Sequence, residues 1–180
     1  MLTLQGVRRL SRFDQVGFLF FDASRKGFWR SFISALICLP IWALTVYQRI
    51  LTLEGEAAIR FLIIQVTSYA VAWLAYPLLV VKIADMFGLW PNYYRYMVAY
   101  NWFQPVLQLM WVPLLLLEPL QGNQVSHLAE LLYVLIQGVQ GAYGWFLARF
   151  GLGLTAWNAL ALTLIDLLLG LLIDGVTTQL

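Results

Sequence analysis

The stretch LTAWNALALTLIDLLLGLLI, residues 154–173, decides the fold. Its one charged group is Asp166, and its leucines run around all of the helical circumference except one narrow stripe, so neither an alternating strand nor a one-sided surface helix accounts for it. A helix of about 20 apolar residues rises about 30 Å, enough to cross a hydrocarbon core. Working back toward the N-terminus, residues 131–148, 96–117, 61–81 and 31–48 repeat the pattern. The composition agrees: 62% of residues are hydrophobic, 11% are charged, and the mean hydropathy is +0.77, whereas soluble domains carry about a quarter charged residues. The expected fold is all-α, a polytopic membrane bundle of about five transmembrane helices.

The basic residues set the expected topology, because Lys and Arg near span ends stay on the cytoplasmic side. Arg8, Arg9, Arg12, Arg25, Lys26 and Arg30 precede the first span, Lys82 and Arg95 lie between the second and third, and Arg149 lies between the fourth and fifth. Those nine of the eleven Lys and Arg residues fall on one side, leaving Arg49 and Arg60 for the other. The N-terminus is expected inside and the C-terminus outside. Residues 1–30 form a basic, aromatic cytoplasmic segment lying at the interface, and residues 31–180 form a single five-helix transmembrane domain. The apolar run 16–21 is short and is followed by Asp22, Arg25 and Lys26, so no signal-peptide cleavage is expected. Cys38 is the lone cysteine, which excludes a disulfide framework within one chain. The net charge of +2 comes from the basic N-terminal segment and gives no reason to expect nucleic acid.

Helix faces narrow the search for a site, because small and polar residues in membrane helices usually point into the bundle. Gln137, Gly141, Gly144 and Ala148 share one stripe of the fourth span; Ala159, Thr163, Asp166 and Gly170 share one of the fifth. Gly141, Gly144 and Gly170 are the expected helix-packing positions. In the third span Asn101, Gln104 and Gln108 form an amide ladder, with Pro105 and Pro113 freeing backbone carbonyls beside it. An ionised carboxylate at membrane depth costs about 2.5–3.5 kcal/mol on insertion scales. Asp166, with Asn101, Gln104, Gln108, Gln137 and Thr163, is therefore the candidate intramembrane ion site, or else a polar packing site. The basic N-terminal residues Arg8, Arg9, Arg12, Arg25, Lys26 and Arg30, together with Lys82, Trp90, Tyr93, Tyr94 and Arg95, form the candidate surface for lipid or a partner. Residues 21–24 and 27–32, FDAS and GFWRSF, read as a compact motif without an assigned role.

Phe87-Gly88-Leu89, the following Tyr93, Tyr94, Tyr96 and Tyr100, and Pro105 resemble the glycine-containing loop, aromatic run and proline of the Yip-domain family. That resemblance covers about thirty residues. It implies five spans and a cytoplasmic N-terminus, with vesicle trafficking as the work of eukaryotic members, and it carries over no catalytic residue.

Three functions compete. The leading one is a non-enzymatic membrane protein that organises an assembly or its lipid, partnered by membrane lipids and by other subunits or copies of itself. The second is a small oligomeric transporter or channel using Asp166. The third is a partial enzyme site completed by another subunit, since H-E-x-x-H, G-x-S-x-G and P-loop motifs are absent and the lone His127 is expected in an outer loop. No cofactor or metal site is expected, and the expected location is a bacterial inner membrane.

Overall fold

The computed structural model describes residues 2–117 and 123–179, the side chains of 123–126, 174 and 176–179 excepted. Every regular element among the described residues is helical. Arg25–Ile50, Gly55–Phe87, His127–Leu152 and Ala156–Ile173 are long and apolar enough to cross a membrane. Only 17–28% of the residues in their most apolar windows are buried within the chain. Water would meet a continuous hydrocarbon surface on all four, whereas lipid covers it without cost. The chain is a multi-pass membrane protein.

The first of these stretches combines α2 (Arg25–Ser31) and α3 (Ile33–Ile50). The second contains α4 (Glu56–Phe87), which ends at Gly88 with φ +65°, a left-handed cap that glycine adopts without a Cβ penalty. The chain then turns directly into α5 (Trp90–Leu109). The helix expected over residues 96–117 is interrupted at Met110 and Trp111, and α6 (Val112–Leu117) continues after the turn. Pro113 explains the interruption, because it has no N–H for the Leu109 carbonyl and its ring crowds the preceding turn. The last pair is α7 (Asn123–Leu147), a π-helical turn (Ala148–Leu152) and α8 (Ala156–Gln179).

The least apolar of the long helices occupies the centre. Tyr96, Met97, Ala99, Asn101 and Phe103 of α5 are buried, with α2, α3, α4 and α7 packed around them. Lipid-facing helices have to be greasy on the outside, whereas a helix wrapped by others is free to carry amides and hydroxyls that pair inside the bundle.

The N-terminal segment packs onto one end of this bundle. Helix α1 (Leu2–Leu10) folds against a 3₁₀ turn (Gln15–Phe20), and Leu10, Phe18 and Phe21 enter the same core as Phe146 and Leu152. Phe13 stacks on Tyr143 with ring centroids 4.4 Å apart, and the Tyr143 hydroxyl donates to the Ser11 carbonyl at 2.6 Å. The FDAS and GFWRSF residues build the following joint. The Ser24 N–H donates to Asp22 Oδ1 at 3.1 Å, and Ser24 Oγ caps α2 by accepting from the Gly27 N–H at 3.0 Å.

Candidate functional site

A cavity of about 320 Å³ lies between the central helix and its neighbours. Helix α5 contributes Tyr100, Asn101, Gln104 and Gln108, the amide ladder with the tyrosine preceding it. Helix α8 contributes Asp166 and Gly170; α4 contributes Tyr69, Trp73 and Tyr76; α7 contributes Gln140; and Cys38 of α3 and Trp111 complete the wall. Asp166 lies about 15 Å along α8 from Ala156 at 1.5 Å per residue, past the middle of the apolar stretch Ala156–Ile173.

The polar side chains divide into those satisfied by the fold and those that face the cavity. Asn101 Nδ2 donates to Ser31 Oγ at 2.8 Å, both groups being buried, and Ser31 Oγ donates to the Phe28 carbonyl at 2.6 Å. This amide therefore ties α5 to α2. Tyr69 donates to the Ala35 carbonyl at 2.6 Å and joins α4 to α3. The hydroxyls of Tyr76 and Tyr96 bond to each other inside the bundle, and the Tyr76 ring stacks on that of Tyr100 at 4.5 Å. Tyr100 in turn directs its hydroxyl at Asp166, 2.9 Å from Oδ2 and 3.1 Å from Oδ1. The aromatic stack holds the donor that fixes the carboxylate.

The remaining sequence-derived candidates lie elsewhere. Gln137 donates to the Tyr133 hydroxyl at 3.2 Å on the exposed side of α7, while Gln140, one turn on, lines the cavity. Thr163 is buried and donates to the Ala159 carbonyl at 2.9 Å; a Cβ on Gly144 would stand 3.0 Å from its methyl group, so α7 and α8 meet closely there. Gly141 and Gly170 have open space where a Cβ would point. His127 lies within α7 and not in a loop, with Nδ1 3.7 Å from Glu130 and both side chains exposed.

The basic and aromatic candidates gather at the N-terminal end of the bundle. Arg8, Arg9, Arg12, Arg25, Lys26, Arg30 and Lys82 are exposed. Arg9 pairs with Asp14 at 2.8 Å and lies over the Phe20 ring. Trp90 donates to Asp85 at 2.6 Å, whereas Tyr93 is buried and Tyr94 is half-buried against Phe28. Arg95 turns inward: its Nε and Nη2 donate to the Gly151 carbonyl at 3.1 and 3.0 Å, while Asn92 donates to the Leu152 carbonyl at 3.0 Å. Together they satisfy carbonyls of the π-helical turn that joins α7 to α8.

Gln140 and the aromatic half of the cavity wall stand outside the sequence-derived candidates. Tyr69, Trp73 and Tyr76 recur at spacings of four and three, a stripe on one helix face that the sequence does carry as a signal. Comparison of the chain with family models, with curated proteins and with solved structures gives no match.

Proposed function

We propose that this protein holds a small solute in the Asp166 cavity as part of its passage through the membrane, the transporter-like reading of the sequence. The carrying observation is a solute-sized cavity, lined by aromatic and amide side chains, whose wall contains a half-buried carboxylate fixed by Tyr100. A group so costly within a membrane span usually marks a substrate or ion path. A purely structural carboxylate has no need of adjoining space of about 320 Å³, which falls in the range of small-molecule sites.

In this reading the chain crosses five times, N-terminus inside and C-terminus outside, in a bacterial inner membrane. The fifth crossing is α5, whose 20 residues span about 30 Å and whose polar side chains are wrapped by neighbouring helices. The nine basic residues at the proposed inner ends support this orientation. Relation to the Yip-domain family remains a proposal on the residues quoted for it and adds topology without chemistry.

The test uses Gly170, which lines the cavity and has free space at its Cβ position. Protein purified in native lipid is expected to carry a small solute detectable by mass spectrometry, and Gly170→Phe, which fills the space, is expected to lose it while keeping the wild-type elution profile. Equal solute in both proteins, or none in either, would refute the reading.

A second reading, assembly with another chain, draws on α7, where Gly138 and Gly141 have open space above them, a close-approach face that no described residue occupies. Cysteine crosslinking at Gly141 in the membrane tests it: a specific crosslinked product supports assembly through this face, and its absence removes the support.

A further inference from the structure

We propose that the solute in the Asp166 cavity is a small organic cation, an amine or quaternary ammonium compound; this rests on the cavity being a solute site at all. Charge gives the first reason. Asp166 is the one acidic residue in the described wall, and no Lys, Arg or His shares that wall. Its carboxylate accepts from the neutral Tyr100 hydroxyl. Arg95 and Arg149 are committed to the α7–α8 hairpin, on the Gly151 and Leu154 carbonyls, and none of the exposed basic residues is in the cavity wall. An anionic solute would meet repulsion with no compensating charge, whereas a monocation would supply the missing partner.

The wall chemistry gives the second reason. Trp73, Tyr76, Tyr100 and Trp111 present aromatic surface to the same space as the carboxylate. Ring faces attract cations, and most strongly where water is excluded. The same faces bury the carbon substituents of an organic cation, which an inorganic ion lacks. Size gives the third: about 320 Å³ is of order ten water volumes, far beyond a bare alkali ion. Metal capture is disfavoured by the donor set, because no three His, Cys, Asp or Glu side chains converge among the described residues. Gln104, Gln108 and Gln140 add hydrogen-bonding groups suited to a hydroxyl or carbonyl elsewhere on the cation.

The test is a tryptophan-fluorescence titration of the protein in lipid nanodiscs, since Trp73 and Trp111 line the cavity. The probes are choline, its uncharged isostere 3,3-dimethylbutan-1-ol, and the larger cation benzyltrimethylammonium. Saturable binding of either cation at least tenfold tighter than of the neutral alcohol is expected, with Asp166→Asn abolishing the preference. Trp73→Leu, which leaves the carboxylate untouched, is expected to weaken the cation several-fold and the alcohol little, and covers the case in which Asp166→Asn does not fold. Equal affinity for cation and alcohol, or no saturable cation binding, would overturn the assignment. Solute loss in Gly170→Phe would still stand by itself, so failure of the ligand class and failure of the solute site are separable.

Discussion

The hydroxyl oxygen of Tyr100 stands 2.9 Å from Oδ2 and 3.1 Å from Oδ1 of Asp166, so one phenolic proton is shared across both oxygens of the carboxylate. The pair joins the centre of α5 to the centre of α8. Removing the hydroxyl with Tyr100→Phe leaves the acid without that donor, and an intramolecular hydrogen bond contributes about 0.5–1.5 kcal/mol net. Tyr100→Phe is expected to lower the Tm in detergent, and the same change on an Asp166→Leu background to lower it much less. Additive losses in that double-mutant cycle would show that the pair is not coupled.

Asn101 predicts a different loss, because its partner Ser31 lies on the bundle's N-terminal joint and not across the cavity. Asn101→Ala removes the donor to Ser31 Oγ, which keeps its own bond to the Phe28 carbonyl, and opens a gap, at an expected cost of about 1–3 kcal/mol. Ser31→Ala opens a smaller gap and should cost less on that count, while leaving the buried Asn101 Nδ2 without this acceptor. Thermal unfolding of both variants checks the order, and ligand titration should show only a modest change in either.

At Gly27 the prediction is steric. An added Cβ would collide with the Asp22 carbonyl oxygen, a backbone atom that cannot swing aside. Gly27→Ala is therefore expected to release the N-terminal segment and speed its proteolysis, and to do more damage than Ser24→Ala, which loses an N-cap of about 1 kcal/mol. Proteolysis rates equal to wild type for Gly27→Ala would contradict the close fit.

The same joint gives a pH dependence. The hydroxyl and backbone N–H of Ser24 hold the Asp22 carboxyl below the usual carboxylate range. A lowered folded-state value means that the contribution is present above the unfolded-state pKa and is lost as pH falls through the folded-state value. Attachment of the N-terminal segment should weaken on acidification through that acidic window, and Ser24→Ala should flatten the response. Hydrogen exchange of α1 amides against pH measures it.

Arg95 grips the Gly151 carbonyl through two nitrogens, a geometry lysine cannot reproduce. Arg95→Lys is expected to increase amide exchange specifically around residues 148–155, while Lys82→Arg, at an exposed position, should change nothing there.

The sequence exposed some of this and concealed the rest for physical reasons. Leucine-rich runs mark lipid-facing helices directly, so residues 154–173 and their like were legible as membrane spans. Asp166 and the α5 amides were legible as expensive groups at depth, and four of them line one cavity. What stayed hidden depended on which faces meet. Asn101 and Gln104 are chemically alike, yet Asn101 is consumed by Ser31, a residue seventy positions away in the chain. Arg95 looked like a headgroup ligand because composition does not reveal a carbonyl folded back from the α7–α8 turn. Tyr100 drew notice for its place in a tyrosine run, and only packing against α8 turns it into the donor that fixes Asp166.

Reachability of the cavity from water is the most direct measure of the proposed function, and Cys38, the chain's lone cysteine, lies in its wall. The measurement is the rate at which a membrane-impermeant methanethiosulfonate modifies Cys38 in sealed vesicles, applied to each face in turn, for wild type and Gly170→Phe. Modification from the aqueous side that Gly170→Phe slows several-fold is the predicted result; a thiol that reacts only with a lipid-soluble reagent, equally in both proteins, would contradict it.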